Sequence, residues 1–268
     1  MFSGITAKIC LTPFVDTFCA IDFGSGRRLT AVRIEPAGAR RGPALNESTT
    51  TIGTATVPRH ERAGTGLPAL GHGLRLEPVR AGGRGRVELE HYVRDAFARK
   101  HGAVVRSFMP TLLAFRDRGG ALRGVTGVRG AHEERLYLEQ YLARPIEQAL
   151  AEALRSRGRE FVLRREIAEV GNLAGASCRA AVRMVAHVPA YLMSQGYEWI
   201  VFTATGTLQQ ILAGFGAPLV ELARADGASV AAASDEWGRY YETDPRVYAG
   251  YLRDADRLSG FIHRGDGH

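Results

Sequence analysis

FVLRREIAEVGNLAGASCRAAVRMVAHVPAYLMSQG, residues 161–196, is the stretch whose reading decides the fold. It reads as a strand over 161–170, a tight turn over 171–177 and then a long helix. The strand half is interrupted by charged residues and carries Glu169 near its end. The turn, Gly171-Asn172-Leu173-Ala174-Gly175-Ala176-Ser177, places two glycines and small side chains where a helix begins. The first N–H groups of a helix lack intrahelical partners and lie at the positive end of its dipole, so such a turn can hold an anion. A carboxylate just before an anion cradle suits transfer chemistry from a phosphate-bearing cofactor. The same pattern also serves a plain strand–helix connection with glycines for close packing.

Downstream, Val182, Met184, Val185, Val188 and Leu192 form the apolar side of the helix, and Arg179, Arg183 and His187 its solvated edge. Pro189 is expected to kink it. Residues 197–203 read as a core strand, running into Thr205-Gly206-Thr207, where either threonine caps a helix over 208–213. Strands are expected over 218–223 and 236–242. Asp244-Pro245 then turns the chain into 247–252.

Upstream, order begins with a short alternating strand over 74–79. A helix over 87–100 follows, with Leu89, Tyr92, Val93, Ala96 and Phe97 on one face. Residues 107–116 and 122–130 read as strands joined at Asp117-Arg118-Gly119-Gly120, a hairpin signal. Residues 136–142 read as a short strand or extended segment, and Pro145 opens a helix over 146–155. Helix and hairpin, then β–α–β, then a β-rich end imply a mixed α/β or α+β sheet.

The chain has 268 residues, 45% of them hydrophobic, enough to bury one substantial core. Its net charge of +7 is uneven. Residues 1–86 hold 12 Lys+Arg against 6 Asp+Glu, while the remainder is nearly balanced. No cluster of basic residues interleaves with aromatics, which argues against nucleic acid as a partner. No apolar run reaches the ~18 residues of a membrane-spanning helix, and the first residues make a poor signal peptide. Cys10, Cys19 and Cys178 show neither metal-ligand spacing nor an even disulfide set, so no metal is expected and a reducing, cytoplasmic setting fits. Residues 1–73, rich in Gly, Pro, Thr and Arg, read as a disordered or loosely attached basic extension. Residues 74–252 form the folded domain and 253–268 a flexible tail.

The succession resembles the GNAT acyltransferase superfamily. Asn172-x-x-Gly175-x-Ser177 keeps the central glycine of that superfamily's Gln/Arg-x-x-Gly-x-Gly/Ala turn and replaces both flanks. The resemblance implies a largely antiparallel sheet whose middle strands splay apart, with the pantetheine of acyl-CoA in the gap and its pyrophosphate on the turn. Five further phrases resemble the bacterial thermostable-hemolysin family, which is related to GNATs and to acyl-homoserine-lactone synthases. They are 107–113 (SFMPTLL), 137–142 (YLEQYL) with 145–147 (PIE), 169–174 (EVGNLA), 199–205 (WIVFTAT) and 237–242 (WGRYYE) with 244–245 (DP). The chain departs from the family at 206–210, where basic residues are expected and Gly, Thr, Leu, Gln and Gln stand.

The resemblance implies transfer of an acyl group to a small-molecule amine, from acyl-CoA or an acyl-carrier protein, with the carrier protein or an acyl-activating enzyme as partner. A membrane-active hemolysin or lipid-binding protein is the alternative. For catalysis it points to Glu169 as base or amine-positioning carboxylate, and to Asn172 as donor to the thioester carbonyl. Tyr240 would protonate the leaving thiolate. Val170, Gly171, Leu173, Ala174, Gly175, Ala176 and Ser177 would contact the cofactor. The plainer readings are an ion pair of Glu169 with Arg164 or Arg165, a turn cap at Asn172 and core packing for Tyr240. Glu139 shares a strand face with Tyr137 and Tyr141 if 136–142 is extended, and Glu147 favours a helix dipole.

Overall fold

The computed structural model describes residues 9–11, 18–22, 30–34, 74–155, 158, 161–214 and 217–255. In chain order the elements are β1 (Ile9–Leu11), β2 (Phe18–Asp22), β3 (Thr30–Ile34), β4 (Arg75–Arg80), α1 (Arg86–His101), β5 (Thr111–Arg116) and β6 (Leu122–Gly130). They continue with α2 (Ile146–Leu154), β7 (Ile167–Gly175), α3 (Cys178–Ser194), β8 (Trp199–Ala204), α4 (Gly206–Gly214), β9 (Val220–Arg224) and β10 (Arg246–Tyr251). The 3₁₀ segments Tyr137–Tyr141 and Gly227–Thr243 fill two of the connections.

Seven strands run in the order β4-β5-β6-β7-β8-β10-β9, with β1 added against β7 and β2 paired with β3 apart from the sheet. Neighbours in the seven are antiparallel except β7 and β8, which are parallel and joined by the crossover helix α3. This is the mixed, GNAT-like sheet that the resemblance implies. On one face, α3 and α4 bury Val182, Met184, Leu192, Leu208 and Leu212 against Phe115, Val170 and Phe202. On the other, α1 buries Leu89, Val93 and Phe97 against Leu112, Ala114 and Ala174, and α2 buries Ile146 and Leu150 against Ile167 and Val201. Each buried side chain of this size contributes roughly 1.5–3 kcal/mol, so both faces are held by burial.

The middle of the sheet opens. β7 pairs with β8 from Ile167 opposite Trp199 to Val170 opposite Phe202, and no further. On its other edge β7 stays paired with β6, but Gly127 faces Gly171 while Val125 faces Ala174. Three steps along β7 therefore match two along β6. The extra residue is a β-bulge at Asn172, whose φ of 49° lies in the left-handed region. A bulge bends its strand, and β7 leaves β8 one residue before it. The result is a fork between the strands.

Several expectations are corrected. Residues 171–175 are strand rather than turn, because Gly171, Ala174 and Gly175 pair with β6, residues 173–175 pair with β1, and all five are buried. The turn is reduced to Ala176 and Ser177. Residues 164–166 form a 3₁₀ turn, so the strand starts at Ile167 rather than at 161. Residues 137–141 coil as a 3₁₀ helix around the Glu139 carboxylate, which accepts from Leu136 N at 2.8 Å and Ile146 N at 2.9 Å. Residues 236–242 belong to a 3₁₀ segment that crosses a kink at Gly238. The expected extension, 1–73, lies largely outside the described residues, as does the tail after 255.

Candidate active site

Glu169 stands one residue before the last β7–β8 pair, opposite Arg129 on β6 and Val201 on β8. It is 1% exposed. Its Oε2 accepts from Tyr137 N and its Oε1 from Leu138 N, both at 3.0 Å, which pins the 137–141 turn to the sheet. Burial pushes its carboxyl up to about 7, overcoming the lowering effect of the Arg129 charge and the two amides. The ion pair expected with Arg164 is absent: that guanidinium donates to Glu139 and to Glu147, each at 2.7 Å. Burial works to raise the pKa of Glu139, but Arg164 and the amides of Ile146 and Leu136 hold it below the ordinary value. Glu147 thus serves an ion pair at the start of α2.

Asn172 is fully buried, and its Oδ1 accepts from Met109 N at 3.1 Å. That bond ties the bulge to the strand entering β5. Thr126 on β6 donates to Gly171 O at 3.0 Å and closes the other side of the bulge. Small residues are required here. A Cβ on Gly127 would come within 2.9 Å of Asn172 Oδ1 and 2.8 Å of Met109 Cβ.

The remaining expected contacts follow β7 into α3. Val170 and Leu173 face the α3 side and line an apolar hollow with Val188, Phe202, Leu208 and Leu212. Pro189, inside α3, lines the same hollow. The last paired residues, Val170 and Phe202, are part of its lining, so the hollow borders the fork. Gly171, Ala174 and Gly175 lie along the edge of the fork. Ala176 donates to Arg123 O at 2.9 Å, and Ser177 caps α3, its Oγ accepting from Ala180 N at 3.1 Å. The fork therefore closes, at the far end of β7, on a helix N-terminus.

Tyr240 is wholly buried on the α1 side, with its ring 5.3 Å from His101, 5.8 Å from Trp237 and 5.7 Å from Tyr241. Tyr241 shares a hydrogen bond of 3.0 Å with Tyr141, and burial raises both phenols. Trp199 packs in the core against Tyr251.

Arg129 and Thr203 were not singled out from sequence, and Thr205 was read there only as a candidate helix cap. Arg129 is 2% exposed beside Glu169, and its one advance signal is a charge next to Val128 in a strand of small and apolar residues broken only by Arg123 and Thr126. On β8, Thr203 lies past the last pair on the face that carries Glu169, and Thr205 follows just beyond the strand's end. Both are buried, and neither hydroxyl has a hydrogen-bond partner among the described residues. A buried hydroxyl left unpaired costs about 1–3 kcal/mol, and a substrate carbonyl between the strands would satisfy it.

Among the described residues no group of three His, Cys, Asp or Glu is placed to hold a metal, and no helix is long and apolar enough to cross a membrane. Along one fork lie a carboxylate raised toward neutrality, two buried hydroxyls, a strand edge that β8 has left and β1 pairs with, an apolar hollow and a helix N-terminus.

No curated protein matches the chain significantly. Among solved structures it is similar to the AHL synthase LasI, at 12% identity and a TM-score of 0.49 over 71% of this chain and 96% of that one. It is also similar to FeeM, an N-acyl amino acid synthase from uncultured soil microbes (14%, 0.46, 70% and 98%). A third is the CoA-dependent acyl-homoserine lactone synthase BjaI with SAM and isopentyl-CoA (12%, 0.47, 71% and 90%). Likeness of that degree assigns no activity. The model of one family, thermostable hemolysin, matches residues 79–255, from the second-last residues of β4 to beyond β10. The chain belongs to the thermostable hemolysin family.

Proposed function

We propose that this protein is a GNAT-like N-acyltransferase, moving an acyl group from acyl-CoA or acyl-carrier-protein phosphopantetheine to a small amine acceptor. The observation that supports it is the fork: parallel pairing stops at Val170 and Phe202, and the bulge at Asn172 turns β7 away. A parted pair presents backbone N–H and C=O groups along a slot, which suits an extended arm bearing amides. The slot meets an apolar hollow for the acyl chain and ends at the N-terminus of α3, where a phosphate group is favoured.

In the proposed reaction the amine must shed a proton to attack. Glu169, with its carboxyl raised to about 7, takes that proton through water. The nitrogen then bonds to the thioester carbon, and the carbonyl electrons move onto oxygen. Thr203 and Thr205 donate to this oxygen from the end of β8, a stabilisation worth several kcal/mol in a dry site. Collapse breaks the C–S bond and gives the amide and a thiolate, to which Tyr240 returns a proton. Asn172 shapes the slot by holding the bulge. The chemistry is direct transfer between two substrates.

The experiment mixes the full chain with acyl-CoAs of increasing length and a panel of amines, and follows free thiol. Thiol release that depends on the amine is expected. No release with any donor, together with no binding of CoA or carrier protein, overturns the proposal. Liposome leakage without thiol release would support the lytic alternative instead.

A further inference from the structure

The edge of β7 past the fork is occupied in this structure by the chain itself. β1 lies parallel to β7, with Ile9 opposite Leu173, Cys10 opposite Ala174 and Leu11 opposite Gly175. β6 holds the other edge of these same residues, with Val125 opposite Ala174 and Gly124 opposite Gly175. β1 is therefore on the side that β8 has left, and it lies close to β8 and α1 as well. Its three residues fill the slot between the parted strands.

A strand edge is a single row of donors and acceptors, and it serves one occupant at a time. An acyl-thioester arm with amide groups, laid along 171–175, would need the row at 173–175 that β1 uses. We propose that residues 9–11 are an internal occupant of the donor slot, and that this strand leaves the fork before an acyl thioester enters. The proposal rests on the donor reading above. It makes the N-terminal segment the element that sets apparent donor affinity. A slot closed for about nine-tenths of the time weakens donor binding about tenfold.

The test keeps the full chain and replaces Ile9→Pro together with Leu11→Pro. Proline removes the N–H that a strand ladder needs. Two quantities are read: hydrogen exchange of the backbone at 173–175, and binding of acetyl-CoA and dodecanoyl-CoA by calorimetry. The variant is expected to exchange at least tenfold faster at 173–175 and to bind dodecanoyl-CoA at least tenfold more tightly. A synthetic peptide of residues 5–15 added to the variant is expected to restore protection and weaken binding again. Equal exchange in the two proteins would show that β1 does not occupy the slot. Faster exchange with unchanged affinity would show that it does not compete. If exchange differs but neither protein binds any acyl-CoA, the strand is seated and the donor reading has failed, and competition is overturned with it.

Discussion

At the residue scale, the structural role of Glu169 and its proposed catalytic role have opposite pH dependences. Its carboxyl is raised to about 7 by burial, so the folded protein holds the proton more tightly than the unfolded chain does. Its protonated form therefore contributes stability below the ordinary carboxyl pKa, and that contribution is lost as pH rises through about 7. The full difference is about 3 kcal/mol. Urea unfolding of the native protein should show stability falling between pH 5 and 8, and Glu169→Gln should flatten that slope. Proton transfer needs the ionised form, so kcat/KM should rise over the same interval and lose that rise in Glu169→Gln. Thr203 separates chemistry from stability in another way. Its hydroxyl is buried without a described partner, so Thr203→Val should leave the urea midpoint unchanged or higher while turnover falls at least tenfold. Tyr240→Phe tests the return of the proton to sulfur. A fall in kcat with the fold intact supports that role, and unchanged kcat removes it.

At the scale of elements, the bulge in β7 shapes the proposed site. Asn172→Ala loses the acceptor of the Met109 N–H and leaves a side chain in left-handed backbone, and should cost about 2–4 kcal/mol. Asn172→Gly relieves only the backbone part and should cost roughly half as much in the same unfolding measurement. Gly127→Ala presses a methyl on Asn172 and on Met109, and should cost about 1–3 kcal/mol. Its loss of turnover should exceed its loss of stability. The helices were legible in sequence: the apolar face at Leu89, Val93 and Phe97 and the entry at Pro145 place α1 and α2 within a residue or two. β7 was not. It is buried on both faces, so alternation is missing, and glycines that admit close neighbours read instead as turn formers. The 137–141 turn was hidden too, because carboxylates from 139 and 169 satisfy its amides. Nothing local in LYLEQYL announces a partner 32 residues away.

At the scale of the whole molecule, the proposed donor site lies where the pairing of β7 with β8 ends. Glu169 and the 169–174 phrase pointed to that place from sequence alone. The residues across the fork, Thr203 and Thr205, needed the register of β8 against β7. A donor that binds the folded chain and not the unfolded one stabilises it by about 2.7 kcal/mol at a hundredfold excess over Kd. Thermal unfolding with dodecanoyl-CoA should therefore shift upward with concentration, and CoA-free fatty acid should give a smaller shift. The most direct test of the fork as donor site is a co-crystal structure with a non-hydrolysable thioether analogue of dodecanoyl-CoA. The account predicts its amide-bearing arm along Gly171–Gly175, its sulfur between Val170 and Thr203, its acyl chain in the hollow beside Leu208 and Leu212, and β1 displaced. An analogue bound elsewhere, with β1 still seated between β7 and β8, would contradict it.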